Sequence, residues 1–189
     1  MGDSALERLA PEFDEQTVVL AAQGGDHAAL SDLYGHYFPR VYRYVCARLA
    51  SNEDAEDVTE EIFLKIIDNL AGYQFRGLPF GAWVFRIARN EVVSHVRRQK
   101  VRGGTAQLSE TIADESADHT REVETQLTIA MVRELTERLP EAQRQVIALR
   151  FGAGLSVAET AEALKKTENN VKVLQHKAIA KLQQMVPRE

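Results

Sequence analysis

The sequence predicts an all-α protein made of two small helical domains joined by a flexible acidic linker. Apolar residues recur with a helical period through most of the chain, only 5 of 189 residues are proline, and no alternating run of Val, Ile and Thr has strand length. From Gly103 to about Arg121 the pattern stops, and Ser, Asp and Glu replace large apolar residues. We therefore divide the chain into an N-terminal domain (1–102), a linker (103–122) and a C-terminal domain (123–189).

The composition excludes several classes of protein. Hydrophobic residues make up 44% of the chain, which suits a globular protein with packed cores. No apolar run is long enough for a membrane span and the N-terminus begins with acids, so we expect a cytoplasmic protein without direct membrane insertion. The single Cys46 has no second cysteine for a disulfide or a zinc site. No HExxH, Walker or GxSxG motif occurs, so we predict no catalytic residue, metal or cofactor and do not expect an enzyme.

Start and stop signals define the helices of the N-terminal domain. A short helix around residues 14–22 stops at a Gly-Gly pair, and Asp26 can cap the long helix that follows. Ser51 or the asparagine after it begins another helix, which has acids in its first turn and runs to about Leu70. The segment AGYQFRGLPFG, rich in glycine and aromatic residues, then forms a loop before the helix that contains residues 83–100.

The helix over residues 83–100 carries five Arg or Lys against one Glu, in a chain whose formal net charge is -5. One side of its helical wheel is apolar, as a core face requires, while the other combines a tryptophan with arginines and an asparagine. Bases stack on aromatic rings and phosphates bind Arg, so this side and the aromatic loop suit an unpaired nucleic-acid strand. Alternatively, Trp83 only packs the loop onto the helix. The residues predicted to face DNA are Tyr73, Phe75, Arg76, Phe80, Trp83, Arg86, Asn90, Ser94, Arg97 and Arg98.

The helix DAEDVTEEIFLKIIDNL has apolar residues on two sides. Ala55, Val58 and Ile62 begin a regular buried stripe, whereas Leu64 and Ile67 lie towards the far side among acids. Apolar residues mixed with acids on an outer face indicate a docking site for a protein partner. The alternative is that the N-terminal helix buries this face.

The segment SVAETAEALKKTENNVKVLQHKAIAKL predicts two short helices joined by a tight turn. Ser156 and Glu159 form a capping-box pattern, that helix ends near Lys165, and Thr167 can cap the next one. This is the helix-turn-helix arrangement, although an amphipathic helical hairpin in any bundle has a similar pattern. The second helix has core residues on one side and, on the other, side chains suited to phosphates and base edges. The core set is Val171, Leu174, Ala178 and Leu182, and the predicted DNA-facing set is Asn169, Asn170, Lys172, Val173, His176 and Lys177.

Together these segments resemble the extracytoplasmic-function (ECF) sigma factors, the compact two-domain initiation subunits of bacterial RNA polymerase. VVLAAQGGDHAALSDLYGHYFPRVYRYV is similar to the family's first conserved region, and DAEDVTEEIFLKI to the helix that docks on the polymerase clamp. FGAWVFRIARNEVVSHVRR is similar to the part that melts and reads the minus-ten promoter element. The chain from LTERLP to KAIAKL is similar to the domain that reads the minus-thirty-five element. The resemblance covers about residues 18–100 and 127–185.

The resemblance implies a non-enzymatic role in transcription initiation. The chain would bind core RNA polymerase, at the beta-prime clamp and the beta flap, direct it to promoter DNA, and be held inactive by an anti-sigma factor. The alternative, a stand-alone helix-turn-helix regulator, predicts tight duplex binding without polymerase, whereas an acidic sigma factor should bind DNA weakly alone. The resemblance implies that Asp57, Glu60, Glu61, Phe63 and Leu64 bind core polymerase.

Overall fold

The computed structural model describes residues 13–75, 77–101 and 134–185, and the regular structure in these ranges is helical, which confirms the all-α class. Within them, no helix has both the length and the apolar character needed to cross a membrane. Two predicted caps are present: Asp26 Oδ1 accepts from Ala28 N at 2.8 Å, and Ser51 Oγ accepts from Asp54 N at 3.2 Å. The N-terminal half contains α1 (Glu15–Gln23), α2 (His27–Cys46), α3 (Asn52–Leu70) and α4 (Phe80–Val101).

The C-terminal half contains the predicted helix-turn-helix. Its first helix begins with a capping box, in which Ser156 Oγ accepts from Glu159 N at 3.1 Å and Glu159 Oε2 accepts from Ser156 N at 2.7 Å. Lys165 ends that helix in the left-handed region at φ 52°, and Thr167 Oγ1 accepts from the amide of Asn170 at 3.2 Å. Residues 134–137 are helical and are followed by α5 (Glu141–Ile147), a π-helical turn (Ala148–Gly152), α6 (Val157–Leu164) and α7 (Glu168–Met185).

The two halves pack against each other. One continuous core joins buried residues of α2, α3 and α4 to Leu149 and Leu155 of the C-terminal half. Two arginines of α2 and the segment after it cross the contact: Arg40 Nε donates to the Ala153 carbonyl at 3.1 Å, and Arg48 Nη2 lies 2.6 Å from Glu141 Oε1. Nothing in the sequence pattern indicates this contact. The predicted linker lies outside the described residues, so the domain boundaries remain predictions.

Candidate nucleic-acid interface

Trp83 belongs to a cluster of aromatic rings where the loop meets α4. Its ring centroid lies 5.1 Å from those of both Tyr73 and Phe80, and Phe75 lies 5.0 Å from Tyr73. Burial, to which the Glu15 carboxylate adds, raises the pKa of Tyr73, so its phenol stays neutral at physiological pH. Tyr73, Phe75 and Trp83, which we call the aromatic platform, are half-buried, and Tyr73 and Trp83 line a cleft at the surface.

Phe80 is also predicted to face DNA, but its ring is fully buried, with 0% exposed. It packs edge-on against Tyr37 at 5.6 Å and against Tyr73 at 4.9 Å. The chain turns into α4 at this residue, which directs the ring into the core beneath the platform. In this conformation Phe80 has no exposed surface for a DNA strand, and its ring packs against that of Trp83 on the core side. Arg76, the other residue predicted from this part of the loop, lies outside the described residues.

The face of α4 next to the platform is partly covered by α6. Arg86 Nη2 pairs with Glu162 Oε1, and each of the two side chains is 32% exposed. Both residues line, with Trp83, one cleft of about 230 Å³. An arginine predicted to bind phosphate is therefore paired with a carboxylate of the other half of the molecule. The two residues are 76 positions apart in the chain, and no local pattern predicts the pair.

Beyond that pair, the predicted face of α4 is open. Asn90, Ser94 and Arg97 are exposed. Arg98 Nη2 lies 3.3 Å from Glu61 Oε2, but about half of each side chain is in solvent, so the pair contributes little stability. The opposite side of α4 is core, as the wheel predicts: Val84, Phe85, Ala88 and Val92 each have 0% exposure.

Helix α7 presents its predicted polar side to solvent. Val171 and Ala178 are fully buried and hold the helix on α5 and α6. Arg150 of the π-helical turn donates to the Leu155 carbonyl and, through Nε, to Gln175 Oε1 at 3.0 Å, which fixes the turn against α7. The exposed residues include the whole predicted DNA-facing set, namely Asn169, Asn170, Lys172, Val173, His176 and Lys177.

The outer face of α3 is exposed, as the partner-docking interpretation requires. Leu64 is 63% exposed and Ile67 is 45% exposed, so the N-terminal helix does not bury this face. Phe63 is different, since it is only 7% exposed and its ring lies 4.7 Å from that of Tyr34 beside an apolar cleft of about 290 Å³. Phe63 therefore offers a partner little surface, and it lines this cleft. The acids of the set, Asp57, Glu60 and Glu61, are all exposed.

Comparison with known families identifies both halves of the chain. Sigma-70 region 2 matches residues 33–102 and Sigma-70, region 4 matches residues 137–184. The ECF RNA polymerase sigma factor SigD of Mycobacterium tuberculosis is 34% identical over 171 residues, which cover 87% of this chain and 80% of SigD. The chain belongs to the ECF family of RNA polymerase sigma factors. Other members are ShbA of Streptomyces griseus (33% identical, covering 89% of this chain and 95% of ShbA) and BldN of Streptomyces coelicolor (34% identical). The match covers 90% of this chain but only 65% of BldN.

Solved structures share the fold of this sigma factor. CnrH, solved in complex with the cytosolic domain of CnrY, is 21% identical with a TM-score of 0.71, over 90% of this chain and 96% of CnrH. RpoE of Bartonella quintana, solved in complex with the anti-sigma factor NepR, is 21% identical with a TM-score of 0.65, over 84% of this chain and 98% of RpoE. At this identity the likeness establishes the fold alone, so the roles of single residues depend on the geometry above.

The structure of this sigma factor adds three residues that the sequence analysis does not single out. Glu15 and Gln23 of α1 bond the backbone at the two ends of the aromatic loop, and Glu162 pairs with Arg86. The sequence contains a weak signal for the role of Glu15. Leu78 and Pro79, which precede α4, have no side-chain acceptor for its first amides, so water or another part of the chain must supply one.

Proposed function

We propose that this sigma factor binds core RNA polymerase through the outer face of α3 and directs it to a restricted set of promoters. Leu64 and Ile67 are exposed among acids, and apolar side chains within a polar surround are typical of protein interfaces. We assign this face to the beta-prime clamp and the C-terminal half to the beta flap. The cleft beside Phe63 deepens the apolar part of the same surface.

The aromatic platform would capture unstacked bases of the minus-ten element. Flipping a base out of the duplex costs a few kcal/mol, and stacking on an aromatic ring returns about 1 to 3 kcal/mol per base. Asn90, Ser94 and Arg97 continue from the platform along one exposed face of α4, where a strand leaving Trp83 would lie. Promoter opening of this kind depends on binding alone.

Helix α7 would read the minus-thirty-five element in the major groove. Lys172 and Lys177 suit phosphates, His176 and the two asparagines suit base edges, and Val173, 44% exposed, suits the methyl group of thymine. The observation that carries the proposal is that one chain exposes both this reading face and, beyond the Arg86–Glu162 pair, the face of α4 that carries Asn90, Ser94 and Arg97.

The two halves must separate for both elements to be contacted together. Two helical turns of DNA span about 70 Å, whereas here α6 lies directly on α4. We assign the packed arrangement to the free sigma factor. An anti-sigma factor, like the partner with which RpoE was solved, is proposed to hold this sigma factor inactive.

Run-off transcription with sigma-free core polymerase and a promoter library tests the proposal. The parent chain should start RNA synthesis on a subset of templates. Trp83→Ala should reduce promoter opening about tenfold, since one stacked base contributes about 1 to 3 kcal/mol. The paired change Asp57→Ala with Glu61→Ala should weaken association with core, whereas Asp32→Ala, at an exposed acid of α2 that does not line the cleft beside Phe63, should not. Failure of the parent on every template, or normal opening by Trp83→Ala, would refute the proposal.

A further inference from the structure

Helix α1 bridges the two ends of the aromatic loop, of which the structure describes residues 71–75 and 77–79. At its C-terminal end, Gln23 Nε2 donates to the Leu70 carbonyl at 2.8 Å and to the Tyr73 carbonyl at 2.7 Å. At its N-terminal end, Glu15 Oε2 accepts from Phe80 N at 2.8 Å, and Glu15 Oε1 accepts from the next amide at 3.2 Å. A single nine-residue helix thus holds the last residue of α3, the start of the loop and the first residues of α4.

The bonds of Glu15 satisfy backbone amides that α4 leaves without partners, and those of Gln23 hold the backbone where α3 passes into the loop. The last carbonyls of a helix and its first amides have no intrahelical partner. The Glu15 carboxylate supplies acceptors to the first amides of α4, where the helix dipole also favours a negative charge. Gln23 supplies a donor to the loop carbonyl of Tyr73 and a second donor to the Leu70 carbonyl, which also accepts from Tyr73 N at 3.0 Å. The hydroxyl of Tyr37, a residue only 2% exposed, donates to Glu15 and fixes the carboxylate in place. Glu15 therefore caps α4 from a distant part of the chain.

The bonds also determine where the platform lies. The carbonyl of Tyr73 is bonded to Gln23, and the ring of the same residue contacts Trp83. Phe80, whose amide is bonded to Glu15, contacts Trp83 from below. Tyr73 and Phe80, whose rings contact Trp83, are thus each hydrogen-bonded through the backbone to a side chain at one end of α1.

We infer that Glu15 and Gln23 are positioning residues, which hold the loop in the shape that receives a base of the minus-ten element. The inference rests on the proposed function, because that function gives the loop its ligand. It adds that recognition of the element depends on α1, whose Glu15 and Gln23 side chains bond the two ends of the loop through backbone atoms. Loss of either anchor should loosen the platform and leave the face of α3 and helix α7 unchanged.

The test compares Glu15→Gln and Gln23→Ala with the parent chain and with Leu20→Ala, an exposed position on the same helix. Association with core polymerase should stay within about twofold of the parent, as for most surface changes. Permanganate reactivity of minus-ten thymines should fall about fivefold, which corresponds to the loss of one hydrogen bond. Discrimination between the parent minus-ten element and single-base variants should fall as well. Emission from Trp83, the only tryptophan in the chain, should shift to the red.

Each outcome decides the inference. The inference is wrong if both variants match Leu20→Ala in promoter opening, base discrimination and Trp83 emission. It is also wrong if the loss of promoter opening is matched by an equal loss of association with core polymerase. A variant that does not fold is replaced by the other, since each anchor is sufficient for the test. If the parent opens no promoter, the proposed function fails, whereas unchanged Trp83 emission in both variants separately refutes the anchoring by α1.

Discussion

Removing the carboxylate of Glu162 should make the free sigma factor a better ligand for single-stranded DNA. In the packed arrangement this carboxylate pairs with Arg86 and lines the same cleft as Trp83. A phosphate beside the platform must therefore displace Glu162 from Arg86 and also approach a negative charge. Glu162→Gln removes the charge and nearly preserves the shape of the side chain.

The structure gives the size of the expected effect. Both side chains of the pair are 32% exposed, so solvent screens the pair in part and it contributes roughly 0.5 to 1 kcal/mol. When Glu162 no longer competes for Arg86, the binding free energy of the DNA strand improves by that amount, which corresponds to about a two- to fivefold lower dissociation constant. The gain should shrink as salt is raised, because salt screens the pair and the phosphate alike.

Fluorescence anisotropy of a labelled minus-ten oligonucleotide, measured at low and at physiological salt, provides the assay. The matched control is Glu168→Gln, which removes the same charge from the exposed first turn of α7, a position outside the cleft. Glu162→Gln should bind more tightly than this control. Equal gains in the two variants would show that net charge alone is responsible. No gain in either would show that Arg86 does not meet the strand.

Three further predictions address other surfaces. Leu64→Glu should weaken core binding about tenfold or more in a competition assay, because burying a leucine contributes about 1.5 to 3 kcal/mol. Lys172→Ala should lower the slope of log affinity against log salt by about one unit on minus-thirty-five duplex, the contribution of one phosphate contact. Burial, with the charge of Arg40 adding to it, lowers the pKa of His36 below its ordinary value of 6.5. The unfolded chain then binds the proton more readily, so the melting temperature should fall as pH drops through about 6.5, and less in His36→Gln.

The helices could be predicted because their boundaries are encoded locally. The cap residues provide oxygen acceptors within a few residues of the amides they satisfy, so both partners lie in one short stretch of sequence. These caps are Asp26, Ser51 and the Ser156–Glu159 box. The π-helical turn is different, because its shape depends on Arg150 reaching Leu155 and Gln175. The bond to Leu155 is local, but the bond to Gln175 forms only once α7 has packed, because its two partners lie 25 positions apart in the chain.

The same distinction explains which parts of the candidate site were predictable. A helical wheel separates the apolar side of α4 from the side of Asn90 and Arg97, but it does not show which neighbour covers a residue near the border. Phe80 is buried by Tyr37, which lies on another helix, and Arg86 is paired with Glu162 in the other half of the chain. Residues in the middle of the face are therefore exposed, as the wheel predicts, whereas the exposure of residues at its edges depends on tertiary contacts.

Several acidic side chains of this sigma factor pair with arginines. Glu162 pairs with Arg86, Glu61 with Arg98, and Glu141 with Arg48, which is the most buried arginine of the three. Two of these pairs join the halves of the molecule, and two involve arginines on the predicted DNA face. A phosphate must compete with each carboxylate, so the packed form is expected to bind DNA weakly even where its surface looks basic. Separation of the halves on core polymerase would break the Arg86 pair without any change of sequence or charge. The arginine that helps to hold the free protein together would then become available to the promoter.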